Sequence, residues 1–180
     1  MRPWPCLALA ASLLVGGCFV SDEPLIQSRD YVYPLPDQAS GDAYKWDDEQ
    51  SRWTYANHFS LERDGAEYVL QEPDDDGKLG EVRVVFAAID NNRWLVQENP
   101  DKDSSQYYYG FVERDPQGHF FVYDLTDLCD LVPKQSGLNI RIDDSMPSAD
   151  CYASSIADVA AAIDRYLPNG TRPDRAYVMR

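Results

Sequence analysis

The chain has 180 residues, with 16 Lys and Arg against 31 Asp and Glu, and a formal net charge of −15 at pH 7. This charge argues against nucleic acid as a partner, because proteins that bind it need clustered basic residues to displace counterions. It also argues against a domain that lies flat on anionic lipid headgroups. The length is sufficient for one domain with a sizeable hydrophobic core.

The first eighteen residues have the pattern of a secretory signal that ends in a cysteine. Arg2 supplies a positive charge, and residues 7–15 form an apolar segment too short to span a bilayer as a stable helix. Gly16 and Gly17 follow, and a residue without a Cβ lets a peptidase approach the backbone closely. Cys18 comes next. An ordinary cleaved signal with a coincidental cysteine and a plain membrane helix are the alternatives.

Residues 13–18, Leu-Leu-Val-Gly-Gly-Cys, resemble the lipobox of bacterial lipoproteins. Val15 stands where that family usually has leucine. The resemblance implies cleavage before Cys18, so that residues 1–17 are a lipoprotein signal peptide, and attachment of acyl chains to Cys18. Two or more acyl chains hold a protein stably on a membrane, and the modified cysteine of that family carries three. Phe19 replaces the aspartate that tends to retain such proteins in the inner membrane, which implies the outer membrane, on its periplasmic or surface face.

Residues 18–43 are interpreted as the lipidated N terminus and a tether. Pro24, Pro34 and Pro36 interrupt this segment, which has no apolar period, and such a composition is typical of a linker. The apolar patch at residues 31–35 is expected to dock on the domain. A single β-rich domain then covers residues 44–180.

The domain contains alternating and apolar runs that predict six strands joined by short turns. Residues 53–61 alternate with period two, which places Trp53 and Phe59 on one apolar face. Asp64 and Gly65 suit a two-residue hairpin turn, because both central positions must accept a positive φ. This order of elements is an antiparallel meander. The other predicted strands lie at residues 67–71, 81–89, 93–97, 106–113 and 119–125.

Two of these strands, at residues 107–112 and 119–123, are apolar on both faces, so that both faces must be covered. A helix that begins after an N-cap at Ser155, with Asp158 positioned to bond back, supplies one cover. The sheet itself supplies the second, either curled into a barrel or paired with another sheet. The predicted fold is therefore α+β and mainly β: an antiparallel meander curved into a barrel-like or sandwich sheet, with one C-terminal helix packed on it and a closing strand at residues 176–179.

Two cysteines, Cys129 and Cys151, remain once the signal region is set aside. In a compartment that favours oxidation they are predicted to form a disulfide, which contributes roughly 3 kcal/mol in the loop-entropy model. A metal site is the alternative and would need His58 and His119. The histidines are far apart in sequence and no second cysteine lies at zinc-motif spacing, so the disulfide is favoured and no metal or cofactor is expected.

Residues 72–77, Glu-Pro-Asp-Asp-Asp-Gly, match the opening of a calcium loop. Arg83 occupies the twelfth position, where a bidentate carboxylate is required, so that a solvated hairpin turn is favoured. His58 and His119 could each act as a base, but the chain has neither G-x-S-x-G nor S-x-x-K. No catalytic residue is therefore predicted.

A set of aromatic residues is the strongest candidate for binding. Tyrosine and tryptophan join an apolar body to a polar tip, which suits ligand pockets and protein interfaces. A plain hydrophobic core is the competing interpretation and is favoured over a pocket. The set consists of Trp94, Tyr107, Tyr109, Phe121 and Tyr123.

The sequence thus predicts a lipid-anchored envelope protein without catalytic activity, held on the membrane by its N-terminal acyl chains, whose β-domain binds another envelope protein. A lipocalin-like carrier of a small ligand is the first alternative, although no G-x-W opens the first strand. A hydrolase is the second alternative and has no motif behind it. A deep pocket lined by the aromatic set would favour the carrier, whereas a filled interior with an exposed aromatic patch would favour the protein-binding module.

Overall fold

A computed structural model describes residues 19–73, 77–98, 106–123, 125–143, 150–167 and 171–180. Cys18 and the predicted signal peptide lie outside these residues. The strands, in chain order, are β1 (Phe19–Ser21), β2 (Tyr31–Val32), β3 (Gln38–Asp47), β4 (Arg52–Asp64), β5 (Glu67–Pro73), β6 (Leu79–Ala88), β7 (Arg93–Glu98), β8 (Tyr107–Arg114), β9 (Phe120–Tyr123), β10 (Ile140–Asp143), β11 (Asp150–Ala153) and β12 (Arg175–Met179). The helices are α1 (Thr126–Leu131) and α2 (Ile156–Tyr166).

Eight of the strands close into an antiparallel barrel. From β3 to β9 each strand pairs with the next, which confirms the predicted meander of β4 to β9 and adds β3, which the sequence analysis did not predict. The last strand, β12, pairs with β3 on one side and β9 on the other, so that Ala176 lies opposite both Tyr44 and Phe121. β9 pairs with β8, which completes the ring. Of the two predicted forms of the sheet, the barrel is therefore the one observed.

A smaller sheet extends from the first residues of β8 on the outer side of the barrel. β1 pairs antiparallel with β8 and parallel with β11, and β10 pairs with β11. Phe19 lies opposite Cys151 in this register, and both residues are fully buried. The sequence analysis did not predict β1, β10 or β11.

The N-terminal segment differs from the predicted tether. Residues 19–43 contain β1, β2 and the first part of β3, and Phe19 and Ile26 are both fully buried. The predicted docking of the patch at 31–35 is confirmed, because Tyr31 pairs with Ala87 of β6. The segments between these short strands have no regular structure, but Ile26 is buried in the outer cluster and Leu25 packs against it.

Two clusters of buried apolar side chains lie on opposite sides of the barrel wall. The inner cluster fills the barrel and includes Phe59 and Val112. The outer cluster lies between the barrel, the smaller sheet and α2, and includes Phe111 and Val159. Neighbouring residues of β8 thus face different cores, which explains why that strand is apolar on both faces.

A β-bulge changes the faces of β4. The pairing with β3 shifts after Ala43 and leaves Ala56 out of the register. Because a bulge reverses the faces of the residues beyond it, Phe59 lies in the inner cluster whereas Trp53 contacts Phe121 on the outside, with ring centroids 6.0 Å apart. The prediction that Trp53 and Phe59 share a face is wrong for this reason.

The predicted C-terminal helix is confirmed as α2. Ser155 is its N-cap and accepts a hydrogen bond from the backbone N–H of Asp158 at 3.1 Å. Val159, Ala162 and Ile163 form its buried face against the outer cluster. Within the described ranges, neither helix has the length and apolar content needed to cross a membrane.

The predicted disulfide between Cys129 and Cys151 is confirmed. It joins the short helix α1, which the sequence analysis missed, to β11 of the smaller sheet. Both cysteines are buried in the outer cluster, with Cα atoms 5.7 Å apart. The bridge therefore fastens the outer cover of the barrel rather than the barrel itself.

Candidate functional site

The barrel interior contains a cavity of about 80 Å³. Its lining is almost entirely apolar and comes from strands around the ring and from the segment before β3. Phe59, Phe86 and Phe120 contribute rings to it, and Leu35 and Tyr177 also line it. A cavity of this kind excludes water and favours an apolar guest.

One end of the cavity is covered by residues 33–37, which we call the strap. Leu35 of the strap lines the cavity, and its carbonyl oxygen accepts a hydrogen bond from the Tyr68 hydroxyl at 2.6 Å. Asp37 forms an ion pair with Arg63 at 2.7 Å, and the Arg63 guanidinium lies 4.7 Å from the centre of the Tyr33 ring. The strap is thus held to the rim by a few polar contacts, whereas the rest of the cavity wall belongs to the hydrogen-bonded sheet.

A buried polar cluster lies farther along the interior. Glu72 is only 3 % exposed, and Nη1 of Arg175 donates to both of its carboxylate oxygens, at 3.2 and 3.1 Å. The Tyr177 hydroxyl donates to Glu72 Oε1 at 3.3 Å. On β5, Tyr68 and Glu72 are four residues apart, so that the cluster lies about 13 Å along the strand from the strap contact. The barrel interior is therefore apolar in its middle and polar toward one end.

The low dielectric of this site shifts the pKa of two of its groups. Burial raises the pKa of Glu72, and the opposing effects of Arg175 and of the hydrogen bonds from Asn57 and Tyr177 only partly offset it. Burial and the neighbouring Glu72 carboxylate raise the pKa of Tyr177. The cluster therefore pairs an acid whose pKa is raised by burial with a guanidinium that partly offsets this shift.

Asn57 of β4 borders this cluster with one polar atom unused. Its Nδ2 donates to the carbonyl oxygen of Pro73 at 3.1 Å. Its Oδ1 is buried and has no hydrogen-bond partner within the described part of the chain. A buried acceptor without a donor is unfavourable by the full cost of its desolvation, which makes this atom a point where a guest could add a hydrogen bond.

The predicted aromatic set is divided by the barrel wall. Trp94 belongs to the inner cluster and lies 6.0 Å from Phe120 between ring centroids, although it does not line the cavity. The other four members lie on the outside. They are Tyr107, Tyr109, Phe121 and Tyr123. The set is thus mostly core, and the structure does not bring it together into one pocket.

The Tyr109 hydroxyl has a structural use. It lies 2.7 Å from Ser21 Oγ, accepts from the backbone N–H of Leu25 at 3.0 Å, and donates to Gln97 Oε1 at 3.1 Å. Gln97 Oε1 in turn accepts from the backbone N–H of Ile26 at 3.0 Å. This network fixes the N-terminal segment to β7 and β8. Burial raises the pKa of Tyr109, and the hydrogen bonds with Ser21 and Leu25 partly offset this increase.

A partly exposed aromatic surface, absent from the predicted set, lies at the end of the β3–β4 hairpin. We call it the aromatic ridge. Tyr44 and Tyr55 form an edge-to-face pair with centroids 6.1 Å apart, and Trp46 and Trp53 form another at 5.5 Å. Tyr55 is 60 % exposed. The bulge after Ala43 places these rings on the outer side, and that irregularity has no clear sequence signal.

The two histidines and the calcium-like loop do not form a common site. His58 pairs with Asp42 at 3.3 Å and His119 with Asp115 at 3.0 Å, at different places on the barrel. No group of three or more potential metal ligands occurs among the residues that can be described. Of the calcium-like loop, residues 74–76 lie outside those residues, and Glu72 belongs to the interior cluster instead.

Glu72 is the functional candidate that sequence reasoning missed. Tyr68, Leu70 and Glu72 alternate at period two, so that the carboxylate continues the inward face of β5. This alternation is easily missed in the sequence, because Glu72 can equally be taken as the first residue of the acidic turn that follows. A charged residue in phase with apolar neighbours is the pattern that could have identified it.

The fold and the interior together define a closed eight-stranded antiparallel barrel with an apolar cavity and a buried ion pair at one end. No family model, no curated protein and no solved structure matches the chain. The function must therefore be argued from the chain's own residues.

Proposed function

We propose that this protein is a lipid-anchored binding protein of a bacterial cell envelope, and that its barrel takes up a small apolar molecule without transforming it. The aromatic set does not line a pocket, so the criterion taken from the sequence does not favour the carrier; the observation that carries the proposal is instead the apolar cavity inside the barrel. Apolar cavities with a few polar groups at one side are the usual form of small-ligand sites, and barrels of eight strands are just wide enough to hold one.

The size of the cavity limits the guest. Apolar cavities of about 150 Å³ take up benzene, and the space here is about 80 Å³. A ring-sized molecule therefore fits only when part of the lining moves. Leu35 is the candidate for this movement, because it lies on the strap rather than in a barrel strand. Entry of the ligand beneath the strap is the route that this arrangement favours.

Binding can be tested with toluene as the probe, read from the methyl NMR shifts of the cavity residues in the purified full chain. Leu35→Ala enlarges the cavity and is expected to raise the affinity for toluene several-fold. Val96→Phe fills the cavity and is expected to abolish binding. Leu131→Ala, at an exposed position, is the matched control and should leave the affinity unchanged. The proposal fails if toluene shifts none of the cavity methyl groups in the parent chain or in Leu35→Ala.

The lipid anchor rests on the resemblance of residues 13–18 to a lipobox. In the proposal, acyl chains on Cys18 hold the protein on the outer membrane, at its periplasmic or surface face. Cys18→Ser removes the acylation site, and detergent-phase partitioning of fractionated cells measures the effect. The variant is expected to move to the aqueous phase, and its retention in the detergent phase would refute the anchor.

Binding of another envelope protein is a second candidate function, and the aromatic ridge favours it. Exposed tyrosine and tryptophan are enriched at protein interfaces, although cross-strand aromatic pairs also stabilise a hairpin. A photo-crosslinking residue at Tyr55 in the native envelope is expected to give one discrete protein adduct. The same residue at Leu79, which is also exposed, serves as the control. Equal adducts from both positions would exclude a specific partner at the ridge.

A further inference from the structure

The polar cluster adjoins the apolar cavity through Tyr177, although Glu72, Arg175 and Asn57 do not themselves line the cavity. Tyr177 lines the cavity and donates a hydrogen bond to Glu72. Leu70 also lines the cavity and precedes Glu72 by two residues on β5, so that both side chains lie on the inward face. A guest in the cavity would therefore have one end beside the cluster.

The hydrogen bonds of the cluster leave acceptors rather than donors with unused capacity beside the cavity. Glu72 Oε2 accepts from Arg175, and a carboxylate oxygen has two lone pairs. Asn57 Oδ1 is buried and has no donor in the described ranges. The Tyr177 hydroxyl and Asn57 Nδ2 already donate, to Glu72 and Pro73. The group that completes this site must donate a hydrogen bond.

The charge of the ligand group decides between a carboxylate, an ammonium and a hydroxyl. An ionised carboxylate has no donor and would meet both Glu72 and a chain with a net charge of −15. An ammonium would donate, but it would leave an extra positive charge in a buried cluster where Glu72 and Arg175 already neutralise each other. A hydroxyl donates without adding charge, and its desolvation is offset by the bond to an acceptor that is otherwise unsatisfied.

We propose that the polar end of the barrel cavity is a subsite for a hydroxyl group, so that the ligand is a small alcohol or phenol whose apolar part occupies the cavity. The hydroxyl donates to Asn57 Oδ1, and Glu72, held by Arg175 and Tyr177, forms the polar wall around it. This inference rests on the proposed function and specifies the ligand class of the same site.

The test compares phenol with toluene, which has a methyl group in place of the hydroxyl. In the parent chain, phenol is expected to bind about tenfold more tightly than toluene, the ratio that corresponds to one net hydrogen bond of about 1.4 kcal/mol. Asn57→Leu removes the proposed acceptor and is expected to reduce this ratio to about one. Asn139→Leu, at an exposed asparagine, is the matched control and should keep the tenfold ratio. Comparing this ratio between variants cancels the unequal partition of the two probes into detergent.

A second variant keeps the test decisive if Asn57→Leu does not fold. Tyr177→Phe removes the donor to Glu72 Oε1, which frees one more acceptor, and the preference for phenol is then expected to increase rather than fall. Benzoate and benzylamine are included as charged probes and should bind more weakly than phenol. Toluene binding without any preference for phenol, or tighter binding of either charged probe, overturns the subsite and leaves the proposed function standing. Failure of all four probes refutes both.

Discussion

The buried pair of Glu72 and Arg175 allows a quantitative prediction about the barrel. Glu72 is 3 % exposed in its side chain and Arg175 is 22 % exposed, so that losing either partner has unequal consequences. Arg175→Met leaves a carboxylate in the interior, which takes up a proton instead of staying charged. At pH 7, protonation against the ordinary pKa of 4.5 costs about 3.4 kcal/mol, which is the upper limit for the loss due to the charge.

Glu72→Met leaves a guanidinium that reaches water in part, and we expect a smaller loss, about 2 kcal/mol. The double variant Glu72→Met/Arg175→Met leaves no charge in the interior and is expected to be less destabilised than Arg175→Met alone, because apolar replacement of a buried pair is often neutral. The coupling energy of this cycle should be about 2 kcal/mol or more.

Urea unfolding of the four chains, followed by tryptophan fluorescence, measures these free energies at pH 7 and at pH 5. The loss in Arg175→Met should shrink at pH 5, because protonation of Glu72 then costs about 0.7 kcal/mol. Additive single effects, with a coupling energy near zero, would refute the inference that the two groups stabilise each other inside the barrel. A pH-independent loss in Arg175→Met would show that packing, not charge, causes it.

Three further predictions concern stability. Gly41 lies against the backbone of Val178 where β12 closes the barrel, so that Gly41→Ala should cost about 1–3 kcal/mol in urea unfolding, whereas Ser40→Ala should have little effect. Replacing Cys129 and Cys151 together by alanine should lower the free energy of unfolding by roughly 3 kcal/mol, and an unchanged melting temperature after reduction of the parent chain would contradict this. The raised pKa of Glu72 means that the folded chain binds the Glu72 proton more tightly than the unfolded chain, so that this group contributes most to stability below pH 4.5 and its contribution is lost as pH rises through the folded pKa. Over that range the parent chain should therefore lose stability relative to Glu72→Gln. Parallel pH profiles of the two chains would argue against the raised pKa.

The regular strands of the barrel could be predicted because their signals are local. Period-two alternation and turn residues locate β4 to β9 within a few residues, and Gly65 has the positive φ that its hairpin turn requires. The helix α2 follows from its cap at Ser155 and its apolar spacing in the same way.

The closure of the barrel and the ordered N-terminal segment could not be predicted in this way. β1 has three residues and β2 has two, and both are stabilised by strands distant in sequence. Prolines in residues 19–43 indicate a linker when read locally, but burial of Phe19 and Ile26 decides the outcome. The interior site was hidden for a similar reason, since only the pairing of β12 with β3 brings Arg175 to the end of the barrel where Glu72 lies.

The burial of Phe19 has a consequence for the order in which this protein matures. Phe19 directly follows Cys18, and in the folded chain its side chain is sealed between β11 and the barrel. An enzyme that cuts before residue 18 needs several residues of extended chain on both sides of the scissile bond, and folded β1 does not offer them. If Cys18 carries the proposed anchor, cleavage and acylation must precede the docking of β1, and the first buried residue of the barrel protein would directly follow the acylated one.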